Sequence, residues 1–471
     1  MFEVRLYSYG PTTSIIREGV KYEIGPDEFI AAEGLGTYGG LGVREKISEL
    51  LDSGKDIGKI TGRMHRESTR RGHASITTSL HLQLEVLHCS RVLSLILAAP
   101  PFGSYLQESQ RRIRVDESHV IESEGLDAGL QRYRETFGKL LKTYGVLLEN
   151  GIPMEDARYI LPIGTATSLF ISSSFENYVG LLQLCSSADD NYLPYEARRF
   201  AEKYGEIVSS IAPRLYDARM SFNNRLTTYP YPMTFKPPDP ILNSIVDGAG
   251  RPDEAVIIKA VNCAGDLSAL RPLISQRHKE VMDSLNPLIN VTTLEPMSLA
   301  ALHQAIRHRT VPTAVESIYT AAGRAYGSID ENTVIPPSIK KDPRLLEMFR
   351  QTVSESINTY HDLCGMGVKP SSACYILPQS LKIYAVRLYN GYNLIYPQGF
   401  IGTRTCSYTQ WEERGIAYRI WRELEKIMPE VAGMMGEKCR YLGYCPEREW
   451  CPIITKYHTY NDQLHSKYSG K

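Results

Sequence analysis

The chain has 471 residues, 42% hydrophobic and 23% charged, ordinary for a soluble globular protein and long enough for two or more domains with real cores. Lys plus Arg balance Asp plus Glu at 53 each, so no overall field recruits nucleic acid or an acidic membrane. No apolar run reaches the roughly 18 residues of a membrane helix, and nine scattered cysteines, an odd number, do not suit a disulfide framework.

The opening M-F-E-V-R-L-Y-S-Y-G alternates like a strand and lacks the basic and long apolar parts of a secretory signal, so a cytoplasmic location is expected. Glycines between 34 and 42 predict turns, followed by a helix-like run near 43–51. Leu80, Leu82, Leu84 and Val86 alternate with polar residues, the pattern of a half-buried strand. A helix is expected over 90–99, closed by Pro100-Pro101, then a segment Y-L-Q-E-S-Q-R-R. Residues 126–150 predict a long amphipathic helix ending at Gly151, and helical segments continue to about 224. Pro230, Pro232, Pro237, Pro238 and Pro240 then crowd together; proline removes amide donors, so a boundary is placed at 229–245.

Beyond that boundary the pattern recurs. Tyr159-Ile160-Leu161-Pro162 returns as Tyr375-Ile376-Leu377-Pro378, Y-E-A-R at 195–198 as W-E-E-R at 411–414, and Glu108-Ser109 as Glu316-Ser317. Gly72-His73 has a weaker echo at His278. Common helix grammar can repeat a tetrapeptide, but collinear matches favour a duplicated unit, 1–228 and 246–471.

Residues 304–317, Q-A-I-R-H-R-T-V-P-T-A-V-E-S, carry the strongest chemical signal. Leu299, Leu302 and Ile306 fall near helical spacing, with Pro296 near the expected start and Pro312 stopping the run. Arg307, His308 and Arg309 then set two permanent cations around an imidazole, a cluster that calls for an anion or water. A solvated basic helix end is the plainer alternative.

Arg-His-Arg, seven residues, then Ser317, with Gln304 before the first Arg, resembles the flavin-dependent thymidylate synthase family. The resemblance implies a mixed α/β unit (α+β, mixed sheet with long helices) and an active tetramer with sites between subunits. A chain with two copies would then act as a homodimer. It implies FAD as cofactor, dUMP as substrate, and methylenetetrahydrofolate and NADPH as co-substrates. By the same resemblance Arg307, His308, Arg309 and Asn390 contact the flavin, Gln304 and Ser317 belong to the nucleotide site, and Arg404 reaches the uracil ring.

The first copy has Ile96, Ala99, Pro100, Pro101, Ser174, Ala188 and Pro194 at the matching places, so a complete site within it is not expected. It keeps other family groups: His73 and Ser75 near the flavin, Ser90-Arg91, and Ser109, Arg111 and Arg158 for the nucleotide. The second copy has Leu299, Tyr319 and Cys374 in place of Arg91, Arg111 and Arg158. Such complementary losses imply composite sites between unlike copies.

The residue types suit that chemistry. Arg forks and hydroxyls hold phosphate, cations stabilise reduced flavin, and an Arg on a uracil carbonyl stabilises charge building on the ring. One departure stands out: Gln107 and Val315 occupy the place of the family's Glu, with Glu108 and Glu316 one residue later. A carboxylate moved by one position faces another way. Methylation of another pyrimidine, or a silent nucleotide- or flavin-binding scaffold, are the alternatives. Cys439, Cys445 and Cys451 at six-residue steps, with His458, hint at zinc but lack a C-x2-C pair, and no metal is expected. Thirty tyrosines against 11 phenylalanines point to apolar surfaces that need a polar tip.

Overall fold

The structure is a computed structural model; it describes residues 2–73, 75–186, 191–221, 230–268, 272–273, 279–445 and 451–457. The strands are β1 (Glu3–Gly10), β2 (Thr13–Arg17), β3 (Val20–Ile24), β4 (His81–Ser90), β5 (Gly103–Gln107), β6 (Ala166–Ser174), β7 (Val256–Asn262), β8 (Ile289–Ser298), β9 (Thr313–Val315) and β10 (Lys382–Asn390). They form two antiparallel four-stranded sheets of one topology, β1-β4-β6-β5 and β7-β8-β10-β9, and a β2–β3 hairpin. Equivalent elements match in length: β4 and β8 have 10 residues, β6 and β10 have 9, and the helices Tyr195–Ile211 and Trp411–Ile427 have 17. The chain is two diverged copies of one mixed α/β fold.

The alternation at 80–86 lies in β4, whose Leu82, Leu84 and Val86 are buried. The expected 90–99 helix is Arg91–Leu97, capped by Ser90, whose hydroxyl accepts from the Leu93 amide. The long amphipathic helix spans Leu130–Glu149, and its counterpart spans Pro343–Gly365.

Two local expectations are corrected. Gly34 and Gly36 lie within a helix, Pro26–Gly39, rather than in turns. A Cβ at Gly34 would sit 1.7 Å from the Met64 methyl, and one at Gly36 would sit 2.8 Å from the Leu41 carbonyl oxygen, so these glycines serve close packing. The left-handed residue that ends the helix is Gly40. Pro296 does not start a helix: it stands in β8 opposite Tyr384, beyond Leu294, where pairing with β7 stops, so no ladder donor is lost.

Two compact units result. The first comprises Met1–Lys142, Leu161–Pro230 and Asn358–Leu377; the second comprises Thr143–Ile160, Tyr231–Ile357 and Pro378–Lys471. Each thus holds a segment contributed by the opposite half of the sequence. In the first, the Tyr375 hydroxyl donates to Glu196 at 3.0 Å, and Glu196 also accepts from the Ser90 amide and hydroxyl. In the second, Tyr159 donates to Glu412 at 2.7 Å, and Glu412 accepts from the Ser298 amide and hydroxyl. Burial pushes both carboxyls up, opposed by these bonds. The repeated Tyr and Glu are therefore one structural device used twice.

The proline-rich stretch is folded onto the second copy from Tyr231 onward. The Thr234 hydroxyl donates to the Glu316 carbonyl, Phe235 is buried, and Asp239 caps the helix Pro240–Gly248. Residues 222–229, Ala188, His278 and His458 lie outside the described residues. No helix among the described residues is long and apolar enough to cross a membrane.

Candidate active site

The Arg-His-Arg triplet follows the short helix Leu299–Ala305, itself capped by the Ser298 hydroxyl. The amides of Arg307 and His308 reach back to Gln304 and Ala305, and the Val311 amide reaches His308, so the triplet turns tightly instead of trailing into solvent. Arg307 donates from Nε to the His303 carbonyl at 3.2 Å. Burial, then the charge of Arg309, lowers the Arg307 guanidinium below its usual range.

Arg404 ends the helix Phe400–Arg404, and its Nε donates to His308 Nε2. His308 must therefore be neutral at that nitrogen. Burial first, then Arg404, Arg387 and Arg309, hold its pKa well below the ordinary value. The His308 ring meets Phe400 edge-on at 5.1 Å. Two motif pieces far apart in sequence, the triplet and Arg404, thus meet at one point.

Behind Arg404 lies a fully buried ionic cluster that the sequence did not suggest. Glu413 sits 3.4 Å from Arg404 and 3.7 Å from Arg387, and Arg387 lies 2.9 Å from Glu295. Tyr389 and Thr293 donate to Glu295 at 2.6 and 2.7 Å, and the Arg387 guanidinium stacks 4.6 Å over Phe400. Burial pushes the Glu413 carboxyl up, opposed by both arginines. The signal that could have found it is the second Glu of W-E-E-R, where the first copy has Ala197.

The other expected residues are placed as follows. Asn390 caps the helix Gly391–Ile395, accepting from the Asn393 amide at 3.1 Å and its side-chain amide at 2.8 Å. Gln304 is half-buried on the triplet's helix. The Ser317 side chain is fully buried and donates to the Lys236 carbonyl at 2.6 Å. Glu316, the displaced carboxylate, is held by both terminal Arg324 nitrogens and accepts from the Tyr384 amide. Arg158, from the first half of the sequence, belongs to the same compact unit as the triplet. Its neighbours Asp156 and Tyr159 engage Trp411, by hydrogen bond at 3.0 Å and by stacking at 5.9 Å.

In the other unit, Ser109 and Arg111 lie in a turn after β5, with the Arg111 side chain exposed. His73 lines an open cavity of about 350 Å³ with Tyr38, Arg63, Met64 and Arg71, and Ser75 begins a four-residue helix just beyond. Cys439, Cys445 and Cys451 share a small apolar cluster with Ile453 and Ile454, and burial pushes the Cys439 thiol up to about 12. Among the described residues no group of three His, Cys, Asp or Glu side chains is placed to hold a metal ion.

The thymidylate synthase complementing protein family matches residues 20–214 and 252–430. The chain belongs to this flavin-dependent thymidylate synthase family, and carries its unit twice. Its relatives include the flavin-dependent thymidylate synthases of Pyrococcus furiosus, 34% identical over 34% of this chain and 66% of that protein, and of Pyrococcus horikoshii, 31% identical over 38% and 73%. The Pyrococcus furiosus match spans slightly less than two thirds of the relative's length. A UMP/dUMP methylase structure from Streptomyces cacaoi aligns with TM-score 0.36 and 17% identity, over 47% of this chain and 96% of its own.

Proposed function

We propose that this chain catalyses the flavin-dependent reductive methylation of dUMP to dTMP, with methylenetetrahydrofolate as carbon donor and NADPH as reductant. The observation that carries this reading is the Arg404–His308 hydrogen bond, which joins the two halves of the family's motif set in the second copy. Arg307 and Arg309 form a cationic pair whose crowding an anionic ligand would relieve, and this donor set suits a flavin. FAD, when bound, supplies the transfer of reducing equivalents to the methylene carbon. Arg307, His308, Arg309 and Asn390, with His73 and Ser75 of the first copy, would hold it.

Arg404 donates to the pyrimidine carbonyl and stabilises charge on the ring as C5 becomes nucleophilic. Arg111, Arg158 and Ser109 meet the nucleotide phosphate through charge-assisted bonds, with Gln304 completing the nucleotide side; Ser317, fully buried and donating to the Lys236 carbonyl, supports the site from within the fold instead of touching the nucleotide. The presence of Arg158 in the triplet's unit supports a composite site, one copy supplying cations that the other has lost. A homodimer, equivalent to the family tetramer, is the assembly we propose.

A second reading, methylation of another pyrimidine, is favoured by Glu316, whose carboxylate is committed to Arg324. One assay separates them. The purified protein should show a flavin spectrum that NADPH bleaches without oxygen, and dUMP with methylenetetrahydrofolate should then restore it and yield thymidylate. R404A should keep the flavin and lose turnover. Reoxidation without thymidylate selects the second reading, and a protein without flavin overturns both.

A further inference from the structure

The geometry points to Glu413 as the residue that positions Arg404, holding its guanidinium from inside the fold while His308 accepts the Nε–H. This inference rests on the proposed role of Arg404 at the pyrimidine. The Glu413 side chain has no solvent exposure, whereas Arg404 is 22% exposed. Arg404 is thus the outlet through which a buried ionic cluster reaches solvent. It is the last residue of a five-residue helix, so the backbone alone gives a long, flexible side chain little restraint. Neither Glu413 oxygen makes a hydrogen bond among the described residues; its partners are the guanidiniums of Arg404 and Arg387.

The fold does not require these charges. In register, Glu295 opposes Ala385 as Val86 opposes Leu169, so Val86 stands where Glu295 does. Ile171 occupies the place of Arg387, and Ala197 that of Glu413 in the repeated Y/W-E-x-R helix. All three are fully buried in the first copy. The same strand order, with central strands of equal length, therefore forms over an aliphatic set. Burying carboxylates and guanidiniums in place of aliphatic side chains is at best neutral for stability. The cluster is present in the copy that has the Arg-His-Arg triplet and Arg404, and absent from the copy that lacks the triplet. Arg387, fixed by Glu295, holds Glu413 in place, and Glu413 in turn fixes Arg404 before substrate arrives, so no reorganisation is needed during reaction.

Two variants of the full-length protein test this. Glu413→Gln removes the charge at nearly constant volume, and E295V/R387I/E413A installs the first copy's aliphatic set. Each is followed by thermal unfolding, flavin absorbance, steady-state kinetics and mass-spectrometric mapping of phenylglyoxal labelling. Both variants should remain folded and bind flavin, and Arg404 should label severalfold faster. The kcat should fall roughly 10²-fold, the cost of misplacing a reacting group by about 1 Å, with nucleotide KM little changed. Unchanged labelling or unchanged kcat in a folded variant overturns the proposal; if Glu413→Gln does not fold, the triple variant decides. Should the parent protein form no thymidylate, the failure falls on the proposed function, and labelling alone decides whether Glu413 restrains Arg404.

Discussion

At His308 a single hydrogen bond decides the charge of an imidazole. Nε2 accepts from Arg404, and burial together with three nearby guanidiniums disfavours a proton there. In the unfolded chain the same ring titrates near 6.5. As pH falls below 6.5 the unfolded chain takes up a proton that the folded chain refuses, so stability is present above that value and lost on acidification. One such group contributes a slope approaching about 1.4 kcal/mol per pH unit below 6.5. His308→Asn should flatten the pH dependence of unfolding free energy between pH 7 and 5 by that increment, as read by urea titration. The variant will keep some slope, because His65 and His88 are also lowered by burial. An unchanged difference curve would mean that His308 takes up its proton as readily in the fold as in the unfolded chain. The triplet and Arg404 were legible in sequence because adjacent cations and motif spacing survive without coordinates. Glu295, Arg387 and Glu413 were not, since one charge within an apolar strand or helix carries no sign of what it faces.

At the level of elements, the buried Ser–Glu–Tyr sets tie the start of one helix to the start of another. Glu196 receives Ser90 and Tyr375; Glu412 receives Ser298 and Tyr159. Removing either phenol hydroxyl leaves a buried carboxylate short of a donor, at about 1.5–3 kcal/mol for a bond to a charged group. Tyr159→Phe and Tyr375→Phe should each lower stability by that amount in chemical unfolding, and a loss below about 0.5 kcal/mol would show that the bonds carry little net stability. The excess of tyrosine over phenylalanine is partly explained here, because these rings fill core space and still supply a donor. Helix and strand positions followed from periodicity. The Gly34 helix did not, because Gly34 answers to Met64, thirty residues on, which no local pattern reports.

At the scale of the molecule, the exchange of segments makes each compact unit depend on both halves of the sequence. Unit one needs Asn358–Leu377 and unit two needs Thr143–Ile160. Expressed separately, 1–229 and 230–471 should each fail to unfold cooperatively, whereas co-expression should restore one cooperative transition; two independently cooperative halves would refute the dependence. The sequence by itself determined the duplication, the family and the residues that each copy keeps, because tetrapeptide repeats and motif spacing are written along the chain. The tertiary structure alone decided that Arg158 joins the triplet's unit, that Tyr159 and Tyr375 each serve the other copy's glutamate, and that Glu413 stands behind Arg404. These are contacts between residues more than a hundred positions apart in most cases, set by how sheets and long helices pack, and side-chain pattern within a segment cannot specify them.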